Sequence, residues 1–144
     1  VLLYGLEAGK YRLALKTPKD QIINVEYIRD KSKKKAAYKK SKAINLKSDI
    51  DSIYTSTEKA ARWYKVSVSS TKKRKAVTLS KDSVGGGFKF CVYQKGKRLK
   101  TVKVTKNDKV KTVKLPKKKG AYYVKVTKLT SKTTGAYYLG TYTY

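Results

Sequence analysis

Serines, lysines, carboxylates, one cysteine and thirteen tyrosines are the groups of this 144-residue chain with chemistry to offer. Histidine is absent. That removes the commonest general base, the Ser-His and Cys-His pairs, and every zinc site that uses imidazole. Cys91 is the single cysteine, so an internal disulfide and any CxxC metal site are excluded. With no imidazole to activate it, Cys91 reads as a small filler on the strand face opposite Phe88 and Phe90. A Ser-Lys dyad needs a buried lysine whose pKa is held low, and nothing in the sequence marks one. Asp49 and Asp51 would share one face of a strand, but nothing around them suggests a sugar-cleaving site, and they read as a solvated turn. Gly85-Gly86-Gly87 resembles a phosphate loop in composition only. A strand follows it instead of a helix N-terminus, so it reads as a flexible turn into Phe88. No catalytic residue, metal or cofactor is assigned, and an enzyme is not expected.

Binding chemistry is better represented. Lysine and arginine number 37 against nine acidic residues, a formal net charge of +28. Only Arg12, Arg29, Arg62, Arg74 and Arg98 are arginine, which leaves 32 of the 37 as lysine. Arginine reads bases and phosphates with a planar fork, whereas lysine is a diffuse point charge. The balance suits attraction to an anionic polymer and does not suit specific DNA recognition. Genome bias toward lysine would give the same composition. The tyrosines argue against a disordered basic tail, because disordered chains are poor in aromatics.

These groups need strands to position them. Tyr64-Lys65-Val66-Ser67-Val68, Phe88-Lys89-Phe90-Cys91-Val92, Thr101-Val102-Lys103-Val104 and Tyr122-Tyr123-Val124-Lys125-Val126 alternate apolar with polar residues. Ala76 to Leu79, Val110 to Leu115 and Tyr137 to Leu139 are shorter runs of the same kind. Turn residues separate them at the spacing of a sandwich or barrel. Helical periodicity is confined to a turn or two near Ser56 to Ala61. No stretch approaches the roughly 20 apolar residues of a membrane-spanning helix.

An internal repeat divides the chain. Gly9-Lys10-Tyr11-Arg12-Leu13-Ala14-Leu15-Lys16 matches Gly120-Ala121-Tyr122-Tyr123-Val124-Lys125-Val126-Thr127 in pattern. Residues 1–30 therefore read as the last three strands of a preceding unit, 31–41 as a basic linker, and 42–144 as a complete unit. Three strands with one apolar face are marginal alone. They are expected to pack on the second unit or to self-associate with another chain. Val1 in place of methionine suggests a processed product or an excised fragment.

Three motifs carry a family resemblance. They are Ala43-Ile44-Asn45-Leu46 with Arg62-Trp63-Tyr64-Lys65-Val66-Ser67-Val68, then Phe88-Lys89-Phe90-Cys91-Val92-Tyr93 with Gly96-Lys97, and finally Leu115-Pro116 through Val126 with Gly135-Ala136-Tyr137-Tyr138-Leu139. Together they resemble the bacterial pre-peptidase C-terminal domain family, which is related to the collagen-binding domains of clostridial collagenases. The last motif looks like that family's closing hairpin. The resemblance implies a jelly-roll-like antiparallel β-sandwich of about eight strands, used as a non-catalytic accessory module of secreted or surface proteins. Some members bind calcium through acidic residues near the domain start. Here that region reads Glu58-Lys59-Ala60-Ala61-Arg62, and Asp49, Asp51 and Glu58 are too few for an ion that takes six to eight oxygens.

The candidate binding surface follows from register. Tyr122 and Tyr137 point inward, whereas Tyr123, Tyr138, Tyr142 and Tyr144 share the opposite register with Lys125. If the two closing strands are neighbours, these residues make one exposed Tyr/Lys face. Trp63 opposes Tyr64 and joins the candidates. Rings among cations stack on sugars, bases or peptide side chains. The expected function is an adhesion or accessory module on a Gram-positive-type surface, binding wall glycan or teichoic acid, host matrix protein or an adjacent domain. The competing class is charge-driven binding of nucleic acid or another polyanion.

Overall fold

The computed structural model describes residues 10, 12–14, 16, 19, 36–46, 61–82, 86–131, 133 and 136–144. Of the expected three-stranded piece at 1–30 only residues 10, 12–14, 16 and 19 are described, none of them in a strand, and the carboxylates Asp49, Asp51 and Glu58 lie outside the described residues. So does the helical stretch at 56–61, apart from Ala61. Eight strands run through the described part: β1 (Ile44–Asn45), β2 (Arg62–Val68), β3 (Lys75–Asp82), β4 (Phe88–Gln94), β5 (Lys97–Val104), β6 (Val110–Lys114), β7 (Gly120–Lys128) and β8 (Ala136–Thr143). They form a five-stranded sheet in the order β1-β2-β7-β4-β5 and a three-stranded sheet in the order β6-β3-β8. The fold is the expected all-β sandwich. All pairings are antiparallel except that of β1 with β2.

Period-2 alternation builds the interior. In β2, Tyr64, Val66 and Val68 are buried while Lys65 and Ser67 look outward. In β7, Tyr122, Val124 and Val126 do the same, and Tyr64 lies opposite Val124. A one-residue slip would turn every one of these side chains to water, so the pattern fixes the register. Phe88, Phe90 and Val92 of β4 join them from one sheet, and Val77, Leu79, Tyr137 and Leu139 from the other. Each fully buried Phe or Leu contributes about 2 kcal/mol relative to exposure. Sheet edges are less buried: β5 hides only Val104 completely, with Val102 half-buried.

Two sets of connections shape the ends of the sandwich. Lys95-Gly96 joins β4 to β5 with both residues at positive φ, 47° and 80°, as a tight two-residue hairpin requires. Register places this turn beside the 69–74 loop after β2 and the 116–119 loop before β7, because Val68 pairs with Gly120 and Gln94 with Tyr122. At the opposite end, Gly86 and Gly87 lead into Phe88 as expected and are closely packed, Gly85 lying outside the described residues. A Cβ on Gly87 would stand 2.1 Å from the Val104 carbonyl oxygen, and one on Gly86 2.4 Å from Thr133 Oγ1. Thr133 is completely buried. Its hydroxyl accepts from the Gly87 and Thr130 amides and lies 3.1 Å from the Gly87 carbonyl oxygen, to which it donates.

Candidate functional site

The candidate residues fall on two opposite faces. Trp63 (β2), Tyr123 and Lys125 (β7) lie together on the outer surface of the five-stranded sheet. Tyr138 and Tyr142 of β8, and Tyr144 just beyond it, belong to the three-stranded sheet. The expected closing hairpin and its single Tyr/Lys face are therefore corrected. β7 sits between β2 and β4, and β8 sits beside β3, so the chain crosses between sheets after β7. Inward and outward register is identical for a hairpin and for a crossover, which is why alternation did not separate them.

On the five-stranded sheet the cross-strand pairs set the arrangement. Trp63 stands opposite Lys125, which stands opposite Cys91; the next row runs Lys65, Tyr123, Tyr93. Strands two apart are separated by about 10 Å. Yet the Trp63 and Tyr93 ring centroids are only 5.5 Å apart, tilted by 44°. Both rings therefore lean inward and meet above β7. Lys125 Nζ lies 5.5 Å from the Trp63 ring centroid and Lys40 Nζ 4.7 Å from that of Tyr123. Both are cation–π distances.

Cys91 faces outward as expected, yet is only 6% exposed. Its sulfur contacts Thr101 Oγ1 at 3.4 Å. Burial, and then the adjoining Cys91, raise the pKa of the Tyr93 phenol, with Arg98 acting weakly the other way. Tyr93 is a site residue that the sequence reading passed over. Its signal was available, since it shares the outward register of Cys91 two positions earlier.

Lys40 arrives by a route not visible in the sequence. Residues 36–42, within the lysine-rich stretch, dock on β2. Trp63 N–H donates to the Ala37 carbonyl at 2.8 Å, and Ala37 is buried. The 3-10 turn at Lys40–Lys42 then carries Lys40 over the outer face.

The three-stranded sheet presents a different surface. The Tyr142 and Tyr144 rings lie 5.8 Å apart, and Lys114 Nζ is 5.3 Å from the Tyr144 centroid. They are 41% and 45% exposed. Tyr142 pairs across to the fully buried Ala76. Tyr122 and Tyr137, expected in the interior, are there. The Tyr122 hydroxyl donates toward the Pro116 and Lys118 carbonyls at 3.2 and 3.0 Å, tying the 116–119 loop down.

No protein-family model matches the sequence, and no curated protein matches it. The chain is similar to the solved structure of a family 35 carbohydrate binding module from an environmental isolate. The identity is 16% over 71% of this chain and 89% of the other, with a TM-score of 0.44. Likeness at that level bears on neither ligand nor site.

Proposed function

We propose that the chain is a non-catalytic accessory or adhesion module of a secreted or cell-surface protein, and that it holds an anionic glycan on the outer face of the five-stranded sheet. The observation that carries this is the Trp63–Tyr93 ring pair flanked by Lys125, with Tyr123 under Lys40 beside it. Aromatic faces accept the apolar side of a sugar ring, and ammonium groups beside them accept its charges. The non-catalytic part rests on the missing histidine and on a cysteine without a base. The surface-protein part rests on the resemblance of the three motifs to the pre-peptidase C-terminal domains. On the ground of the internal repeat at 9–16 and 120–127, residues 1–30 belong to a preceding repeat and 31–41 connect the two, part of that connection serving as one wall of the binding face.

The test is retention of the full chain on a panel of immobilised acidic and neutral glycans and matrix proteins. The acidic glycans should retain it, and W63A/Y123A should weaken retention about tenfold or more, since stacking is worth about 1–3 kcal/mol per ring. Retention unaffected by that double change would exclude the face as the binding site. Retention on matrix protein alone would exclude the glycan.

A further inference from the structure

We infer that the end of the sandwich where the 69–74, 95–96 and 116–119 turns converge is a second binding site, for a linear phosphate polymer without bases. Three segments far apart in sequence bring exposed cations to this end. Lys72 and Lys73 come from the first, Lys95 and Arg98 from the hairpin, and Lys117 and Lys118 from the third. Strand register makes them neighbours, because Val68 pairs with Gly120 and Gln94 with Tyr122. Among the described residues, no acidic side chain lies at this end and no ion pair engages these cations.

The opposite end is a control built into the same molecule. There Lys111 pairs with Asp108 at 2.7 Å. Lys81 lies within reach of the Lys106 and Gly86 carbonyls at 3.2 and 3.5 Å. Two of its cations, Lys111 and Lys81, thus have partners within the fold.

The basic end is held in shape. Lys75 Nζ donates to the Ser67 carbonyl at 2.9 Å, closing the base of the first loop. Arg74 and Tyr144 exchange two backbone hydrogen bonds at 3.0 and 2.9 Å. The Tyr122 hydroxyl anchors the third loop through the Pro116 and Lys118 carbonyls. Loops whose backbone is already tied down lose less freedom when a ligand arrives.

The chemistry of these turns selects the occupant. The turns themselves carry no aromatic side chain; the nearest rings, Tyr144 beside Arg74 and Tyr93 opposite Arg98, stand at their margins, so the centre of the site offers charge and not stacking. Lysine outnumbers arginine among them, which gives point charges suited to phosphate and not forks that read base edges. A polyphosphate or polyol-phosphate chain matches this chemistry, and charge complementarity selects it. The site adjoins the glycan face at Arg98, which pairs across to Tyr93, but its lysines lie on the turns and not on that face.

The experiment is calorimetric titration of the full chain with inorganic polyphosphate, with amide NMR mapping of the contacted residues. Shifts should concentrate at 70–74, 95–98 and 117–119. A site neutralising four phosphates loses about a hundredfold in affinity between roughly 50 and roughly 200 mM salt. K72S/K73S/K118S should lose at least about tenfold, whereas K103S/K106S/K109S, which removes equal charge elsewhere, should lose less than about threefold. W63A should bind polyphosphate as the unaltered chain does. Equal losses in the two triple variants would reduce the effect to net charge and overturn the site. Loss in W63A would move binding to the aromatic face and overturn it equally. Tighter binding of a charge-matched single-stranded oligonucleotide would overturn the choice of polymer.

Discussion

The hydroxyl oxygens of Tyr64 and Tyr137 lie 2.6 Å apart in the interior of the sandwich, joining β2 of one sheet to β8 of the other. Their rings meet edge to face at 6.5 Å, and Phe88 packs on Tyr137 at 4.9 Å. Either phenylalanine substitution leaves a buried hydroxyl short of one partner, which costs about 1–3 kcal/mol. The double change removes both hydroxyls together. Chemical unfolding of Y64F, Y137F and the pair should therefore show a coupling of about 1 kcal/mol, the double losing less than the sum of the singles. Additive losses would mean the two hydroxyls act independently.

Thr141 gives a prediction of opposite sign. It is buried at 2% exposure opposite Val77, and its Oγ1 has no hydrogen-bond partner among the described residues. Valine has nearly the same shape without the orphaned hydroxyl. T141V should raise stability by about 1 kcal/mol, measured as a shift in the denaturant midpoint at unchanged slope. A loss of stability would mean the hydroxyl is satisfied.

The glycines separate close packing from backbone conformation. G87A places a methyl against the Val104 backbone, which cannot swing aside. The expected loss is about 3 kcal/mol or more. At Gly96 nothing lies within 4 Å of the added Cβ, and the only penalty is φ of +80°. G96A should lose about 1 kcal/mol. Thermal unfolding of the two variants should rank them in that order, and equal losses would contradict the packing described at Gly87.

The phenols give stability a pH dependence. Burial, assisted by Cys91, raises the Tyr93 pKa, and burial raises that of Tyr122. A phenol whose folded pKa lies above its unfolded value of about 10 is neutral in the fold and charged in the unfolded chain between those two values. Its stabilisation is complete below about pH 10 and is lost as pH rises through the folded pKa. Unfolding followed from pH 8 to about 11.5 should show stability falling above about 10, with a shallower fall in Y93F. A slope unchanged in Y93F would place that phenol in water.

Much of the framework was legible in the sequence, for a simple physical reason. Tyr64, Val66, Phe90, Val124 and Val126 alternate with polar residues, and a period of two specifies a strand and its buried face with no knowledge of its neighbours. Which strand lies beside which is a long-range property. The separation of Tyr123 from Tyr138 onto opposite faces therefore emerged only with the sheet order. The basic end was hidden for the same reason, since Lys72, Lys95 and Lys118 are adjacent only once β2, β4 and β7 are paired. Thr133 and Ala37 were invisible as structural residues. Each acts through one contact far along the chain, with Gly87 or Trp63, and neither has a periodic pattern around it.

Trp63 is the only tryptophan in the chain, so tryptophan emission comes from a single position, on the proposed glycan face. The most direct measurement is a titration of the full chain with an acidic glycan that retains it, followed at the tryptophan emission band. Binding on this face should shift or quench the emission in a saturable way, at the same concentrations that give retention. Retention with an unchanged Trp63 spectrum would place the glycan elsewhere and contradict the proposed site.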